Sequence, residues 1–123
     1  MILTTDESLI RSILEDESVI DGFSDGKPVD DLTDAYFFYE EGVGIFPVRI
    51  NNGVVDIHAA IPKKNRGKKA LEAAKSISNI LTLSGYTVTA RVRYNDKKTR
   101  CFINMVGFHL TGSNDQYQMY RYM

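Results

Sequence analysis

The 123-residue chain has a single cysteine, Cys101, and only two histidines. One cysteine excludes an internal disulfide, which fits a reducing compartment. One cysteine and two histidines also fall short of a dedicated zinc site. Long apolar runs are missing as well. Nowhere are 18 consecutive residues apolar, so no membrane-spanning helix is expected. The start, "MILTTDES", lacks the basic residues and apolar run of a secretory signal. Internal repeats, linkers and low-complexity segments are absent. These absences point to one domain in the cytoplasm. Its hydrophobic content of 43% is enough to bury a core.

The small net charge of −1 hides an asymmetry. Residues 1–41 carry twelve acidic and two basic side chains, and the remainder carries four acidic and thirteen basic. The basic part should attract the phosphates of a cofactor or of nucleic acid, and the acidic part cations. The alternative is that the charges solvate two faces of a small domain. Nucleic acid is the weaker partner. The positive residues are split among several elements, and no aromatic residue is interleaved with the basic loop as a stacking platform would require.

Thr4 and Glu7 have capping-box spacing, and Leu9, Ile10, Ile13 and Leu14 follow at helical spacing. A helix from about Thr5 to Glu17 is predicted, closing near Asp21 and Gly22. The turn-rich stretch after it leaves room for one helical turn over residues 30–34. "YFFYEE" and "VGIFPVRI" read as strands, with Pro47 expected at an edge or bulge. Asn51, Asn52 and Gly53 make a hairpin into "VVDIHAAI". A helix over residues 68–83 follows, its inner face set by Ala70, Ala73, Ala74, Ile77, Ile80 and Leu81, with Gly85 ending it. "YTVTARVRY" is a strand. "DKKTRCFINMVGF" is a short helix with Cys101, Phe102, Met105 and Val106 inward. "FHLTG" and "QYQMYRYM" form a last hairpin. The hairpins demand antiparallel pairing, and the strand–helix–strand unit from Val54 to Tyr94 adds one parallel pair. The fold class is α+β, with a mixed, mostly antiparallel sheet flanked by helices.

The stretch "AAIPKKNRGKKALEAAK" joins a strand to a helix, and five of its seven residues from 63 to 69 are basic. A helix start carries unpaired N–H groups and the positive end of a dipole, so it is suited to phosphate. Gly67 lets a ligand approach the backbone, and the lysines and Arg66 add charge. A surface loop with the same composition is the alternative.

This stretch, together with "RVRYNDKKTRCFINMVGF", resembles the GNAT superfamily of acetyl-CoA-dependent N-acetyltransferases, over about residues 36–123 in element order. The pattern "RGKKA" with a closing "GF" looks most like the small acetyltransferase-like proteins of tailed phages, some of which are virion or assembly proteins. The resemblance implies acetyl-CoA as cofactor, with its pyrophosphate at Arg66, Gly67, Lys68, Lys69 and Ala70. It implies that the backbone of Ala59, Ala60 and Ile61 runs along the pantetheine arm. Two further loop glycines of the family fall at Lys69 and Leu71. Asp96 takes the place of the family's asparagine, with Asn95 beside it. Ile103 stands where many members carry the tyrosine that protonates the departing thiolate. The first helices of the family line the acceptor cleft. The resemblance therefore places the N-terminal helix and the acidic loop to Asp34 on the acceptor side, opposite the basic loop.

Acetyl transfer to an amine needs a base and a group to settle the thiolate. Strand alternation puts Asp56 and His58 on one face, so either could be the base. A histidine simply satisfied by a neighbour is the alternative for His58. Tyr94 is a substitute acid or an ordinary strand aromatic. Cys101 reads as core. On the last strand Tyr120 and Tyr122 share one face, and Tyr117 and Met119 the other. One of these faces could meet a partner, including a second copy in a homodimer. Two functions follow: an N-acetyltransferase acting on a cationic amine, or a catalytically degenerate phage module that binds structural proteins, in the host cytoplasm or the virion.

Overall fold

A computed structural model describes residues 1–19 and 35–122. The expected end of the first helix near Asp21 and Gly22, and the helical turn over residues 30–34, lie outside the described residues. In chain order the elements are β1 (Ile2–Thr4), α1 (Glu7–Leu14), β2 (Tyr36–Glu40), β3 (Gly44–Asn51) and β4 (Val54–Ile57). A 3-10 turn (Lys63–Asn65) leads into α2 (Lys68–Leu83), followed by β5 (Thr87–Arg93), α3 (Lys97–Val106), β6 (Phe108–Ser113) and β7 (Tyr117–Tyr122). Among the described residues no helix is long and apolar enough to cross a membrane.

The seven strands form one mixed sheet in the order β1-β2-β3-β4-β5-β7-β6. The expected parallel pair is present between β4 and β5, and every other neighbouring pair is antiparallel. At the β3–β4 hairpin Asn52 and Gly53 take φ of 53° and 78°, the two positive values that this tight turn requires. β1 was not anticipated. Three residues are too few for a periodic signal, and Ile2 and Leu3 are mostly exposed at the sheet edge.

Thr4 does not cap α1. It belongs to the β1 ladder opposite Phe37, and the cap is Asp6, whose Oδ1 accepts from Leu9 N at 3.1 Å. Pro47 is not at an edge either: it sits in β3, between β2 and β4. There Pro47 O accepts from His58 N at 2.9 Å, but Pro47 has no N–H to return to the His58 carbonyl. The proline is tolerated because its bare nitrogen faces the stretch where β4 is ending.

Side-chain alternation divides the sheet into two faces. Phe46, Val48, Val55, Ile57, Val88, Ala90, Val92 and Tyr120 form one core with α2 and α3. The alanines of α2 at 70, 73 and 74 let the helix approach the sheet closely, and Ile77 and Leu81 fill the space beyond. On the opposite face Ile10 and Leu14 of α1 pack on Phe37, Ile45 and Ala60. In α3 the inward residues are Ile103 and Val106, with Phe102 partly buried. Cys101 and Met105, expected inward, are exposed. Both stripes have helical spacing, and the packing of the helix against α2 and β6 selects the one through Ile103.

β3 and the continuation of β4 approach tightly at Gly44. A Cβ there would lie 2.3 Å from the carbonyl oxygen of Ala60. Gly44→Ala should therefore destabilise the protein by about 1–3 kcal/mol, read from urea midpoints. The amide of Ala60, which donates to Ile45 O at 2.9 Å, should lose hydrogen-exchange protection.

Candidate functional site

Three paired residues hold β4 beside β5: Val54↔Thr87, Val55↔Val88 and Asp56↔Thr89. The strands then part. β4 continues along β3, with His58 N donating to Pro47 O and a bridge between Ile45 and Ala60. β5 stays with β7 as far as Arg93↔Tyr117. In that alternation the N–H and C=O of Ala59 point away from β3, toward the gap. Ala59 is exposed, between the buried residues Ile57 and Ala60. The gap thus presents a small side chain and a backbone donor with no strand partner among the described residues.

Beyond the gap the chain runs through Ile61 and Pro62 into the basic loop. Hydrogen bonds from three residues fix this loop. Lys63 N donates to Ser18 Oγ at 2.8 Å, and Asn65 Nδ2 donates to Val43 O at 3.0 Å. Arg66 donates through Nε to Ile61 O at 2.9 Å and through an Nη to Ser18 O at 2.7 Å. Arg66 therefore acts as a clamp on two carbonyls, and Asn65, which carried no signal in the sequence, shares the task. The loop is tied to the end of the α1 region rather than lying opposite it. Asp16 takes part as well. Hydrogen bonds from the Ser18 side chain and backbone, with weaker attraction to Lys64 and Arg66, hold its carboxyl below the ordinary value.

α2 starts at Gly67 with no side-chain cap and no acidic residue in its first turn. The N–H groups of Lys68, Lys69 and Ala70 precede the first intrahelical bond, which runs from Leu71 N to Gly67 O. The space over Gly67 is open: a Cβ there would meet nothing within 4 Å. Neither Lys69 nor Leu71 blocks this helix start. The Lys69 ammonium rests against Gly42, and Leu71 packs on the core. The residues fit an anionic, pyrophosphate-like group at residues 66–70 with an extended arm along Ala59.

Asp56 and His58 share the sheet face of α1, as alternation required. His58 Nε2 lies 3.5 Å from Asp56 Oδ2, and Arg91 reaches the same oxygen at 3.3 Å. Burial alone would raise the Asp56 carboxyl. Hydrogen bonding and charge from His58, and then Arg91, outweigh it and hold the group below its usual value. Asp56 is therefore ionised at neutral pH and a weak base. A carboxylate beside Nε2 favours the tautomer in which His58 Nδ1 carries the lone pair. Asp56 Oδ1 is buried without a hydrogen-bond partner among the described residues.

The structure does not bring Asn95 to the loop. It lines an open depression of about 380 Å³ between the end of β5 and the β6–β7 turn, with Arg93, Tyr94, Asp115, Gln116 and Tyr117. Tyr94 is exposed there, and Ile103 is buried in the core. A second cavity, of about 210 Å³, lies between α1 and the basic loop and is lined by Ser12, Asp16, Tyr39, Gly42, Lys64 and Asn65 among others.

No protein-family model matches this chain, and no curated protein matches it. Solved structures do match. A GNAT-family protein from Desulfovibrio desulfuricans superposes with a TM-score of 0.69 at 15% identity, covering 98% of this chain and 94% of that one. An acetyltransferase from Bacillus subtilis, solved in complex with CoA, gives 0.55 at 12% identity over 73% and 76%. A spermidine N-acetyltransferase chimera of Vibrio cholerae and hSSAT gives 0.53 at 14% identity, and the match covers 71% of this chain but only 62% of the chimera. The structural neighbours are GNAT-family N-acetyltransferases, and this mixed, mostly antiparallel sheet flanked by helices is a GNAT fold.

The Asp56 cluster makes stability depend on pH in one direction. Its folded carboxyl titrates below the unfolded value of about 3.9. The stabilisation is therefore present above that pH and lost as pH falls through the folded value. Asp56→Asn should cost about 1 kcal/mol at pH 7. The gap from wild type should close below about pH 4 in urea melts taken across the acid range.

Proposed function

We propose that the protein is an acetyl-CoA-dependent N-acetyltransferase acting on an amine, cationic in its resting ammonium form. The parting of β4 and β5 at Ala59, with the uncapped start of α2 beyond it, carries this reading. Acetyl-CoA, when bound, would supply the acetyl thioester and leave as coenzyme A. The N–H groups of Lys68, Lys69 and Ala70, with the charge of Lys68, would hold its pyrophosphate. The Ala59 backbone would meet the pantetheine arm, and its N–H would polarise a carbonyl in the gap. Helices α2 and α3 cover one face of the sheet, so the acceptor approaches from the face of Asp56 and His58. There His58 takes the ammonium proton, and Asp56 orients and stabilises the imidazolium that results.

A second reading rests on Ile103. At the position where the resemblance implies a tyrosine, the chain has a buried aliphatic side chain with no proton to give. A catalytically degenerate GNAT-fold module, working by protein interaction in a virion or its assembly, would need no such group. The bacteriophage link enters only through the resemblance in the sequence.

Calorimetry with acetyl-CoA separates the two. The wild type should bind, and Ala59→Phe should abolish binding without loss of fold, because Ala59 is exposed and faces the gap. Lys68→Glu should weaken binding at least tenfold. Arg66 is a poor choice for this purpose, because its loss also releases Ser18 and Ile61. His58→Ala should lower kcat far more than it changes acetyl-CoA affinity. Absence of acetyl-CoA binding by the wild type would overturn the enzyme reading.

A further inference from the structure

The sheet face that carries Asp56 and His58 is rich in arginine. The register aligns its side chains across five strands. Arg49 of β3 stands opposite Asp56, and Asp56 is in register with Thr89 of β5. Thr89 is opposite Arg121 of β7, and Arg121 is opposite His109 of β6. Arg91 and Arg93 follow Thr89 on the same face by alternation, with Tyr117 opposite Arg93. Four guanidinium groups thus share this face with one strand carboxylate, Asp56. Arg49, Arg91 and Arg121 are exposed. Arg91 is pinned between Asp56 and the Tyr117 ring, 5.6 Å from the ring centroid. Neither Arg49 nor Arg121 has an acidic partner among the described residues. α1 packs over β2 and β3, and no described helix packs on this face of β5 or β7.

We infer that the acceptor is an amine that also carries a carboxylate or a phosphate. The inference rests on the acetyl-transfer reading and names the substrate class of that site. Any acceptor reaching His58 from this side crosses a field set by arginines spaced over about 14 Å, three strand spacings. A polyamine would meet like charge at each of them. An anionic group is attracted, and Arg49 and Arg121 offer forked donors that match a carboxylate or phosphate. The ammonium of the same molecule is directed to Asp56 and His58, where this face carries its one strand carboxylate among the described residues. A nucleic-acid strand fits less well. Asp56 would repel its phosphates at the centre of the face, and the Tyr117 ring is already under Arg91 rather than open to a base.

Two matched comparisons test this on the full chain with acetyl-CoA present: O-phosphoethanolamine against ethanolamine, and glutamate against spermidine. The phosphate and carboxylate members should show kcat/KM at least tenfold above their comparators at low salt, and the preference should shrink as salt rises. The Arg49→Glu, Arg121→Glu double variant should lose that preference while its acetyl-CoA affinity is unchanged. Both positions are exposed, so the variant should fold. In parallel, amide shifts of β5 and β7 are followed on adding O-phosphoethanolamine, ethanolamine or inorganic phosphate. Selective shifts with O-phosphoethanolamine support the inference even without turnover, in which case it is the acetyl-transfer reading that falls. Turnover that favours spermidine, or is indifferent to the anionic group, would overturn the inference and leave acetyl transfer standing. Equal shifts with inorganic phosphate, or displacement of O-phosphoethanolamine by a labelled single-stranded oligonucleotide, would also overturn it.

Discussion

β4 and β5 share a ladder for three residues and are then drawn apart, because each has a stronger commitment elsewhere. β4 remains hydrogen-bonded to β3 through His58 and Ala60, and β5 remains paired with β7 through Arg93. Adjacent strands in a sheet rotate relative to one another, so two ladders that continue independently must diverge. The wedge between them exposes the Ala59 backbone in the middle of an otherwise closed sheet. Pro47 contributes to the same event. It has no N–H to give to the ladder where β4 begins to leave its parallel partner. Gly44 completes the arrangement by letting the Ala60 carbonyl approach β3 more closely than any side chain would allow.

Every other part of the candidate site takes its place from that wedge. The chain leaving Ala60 enters the basic loop, whose path is set by Asn65 and Arg66 reaching backbone carbonyls. That path ends at Gly67, where α2 begins with unpaired N–H groups aimed at open space. On the face toward α1, the end of β4 supplies Asp56 and His58, and Arg91 of β5 reaches across to Asp56. Positive charge is thus used twice. In the loop it surrounds a helix start, and on the sheet it surrounds a single carboxylate.

Much of the fold was legible in the sequence. Alternation in β5, the Asn-Gly turn before β4, the alanine stripe of α2 and the shared face of Asp56 and His58 are local patterns. Local patterns survive folding because they reflect backbone geometry. The failures are equally physical. Thr4 could not cap α1 because β1 claims it for a ladder. Cys101 and Ile103 lie on overlapping apolar stripes, and only docking on the sheet chose between them. Asn95 is close in sequence to the end of β5 but lies in the depression toward the β6–β7 turn.

The sequence by itself determined the order of elements, the hairpins, the single parallel pair and a basic loop that opens a helix. All of these depend on neighbours along the chain. Tertiary structure alone decided what the loop's charges do. Arg66 is spent on two carbonyls and Lys69 lies against Gly42, because Ser18 and Gly42 reach the loop only after the sheet has formed. The arginine face was likewise invisible. Arg49, Arg91, Arg93 and Arg121 are scattered over more than seventy residues of sequence. They meet because strand register, which long-range pairing sets, turns them all to one side.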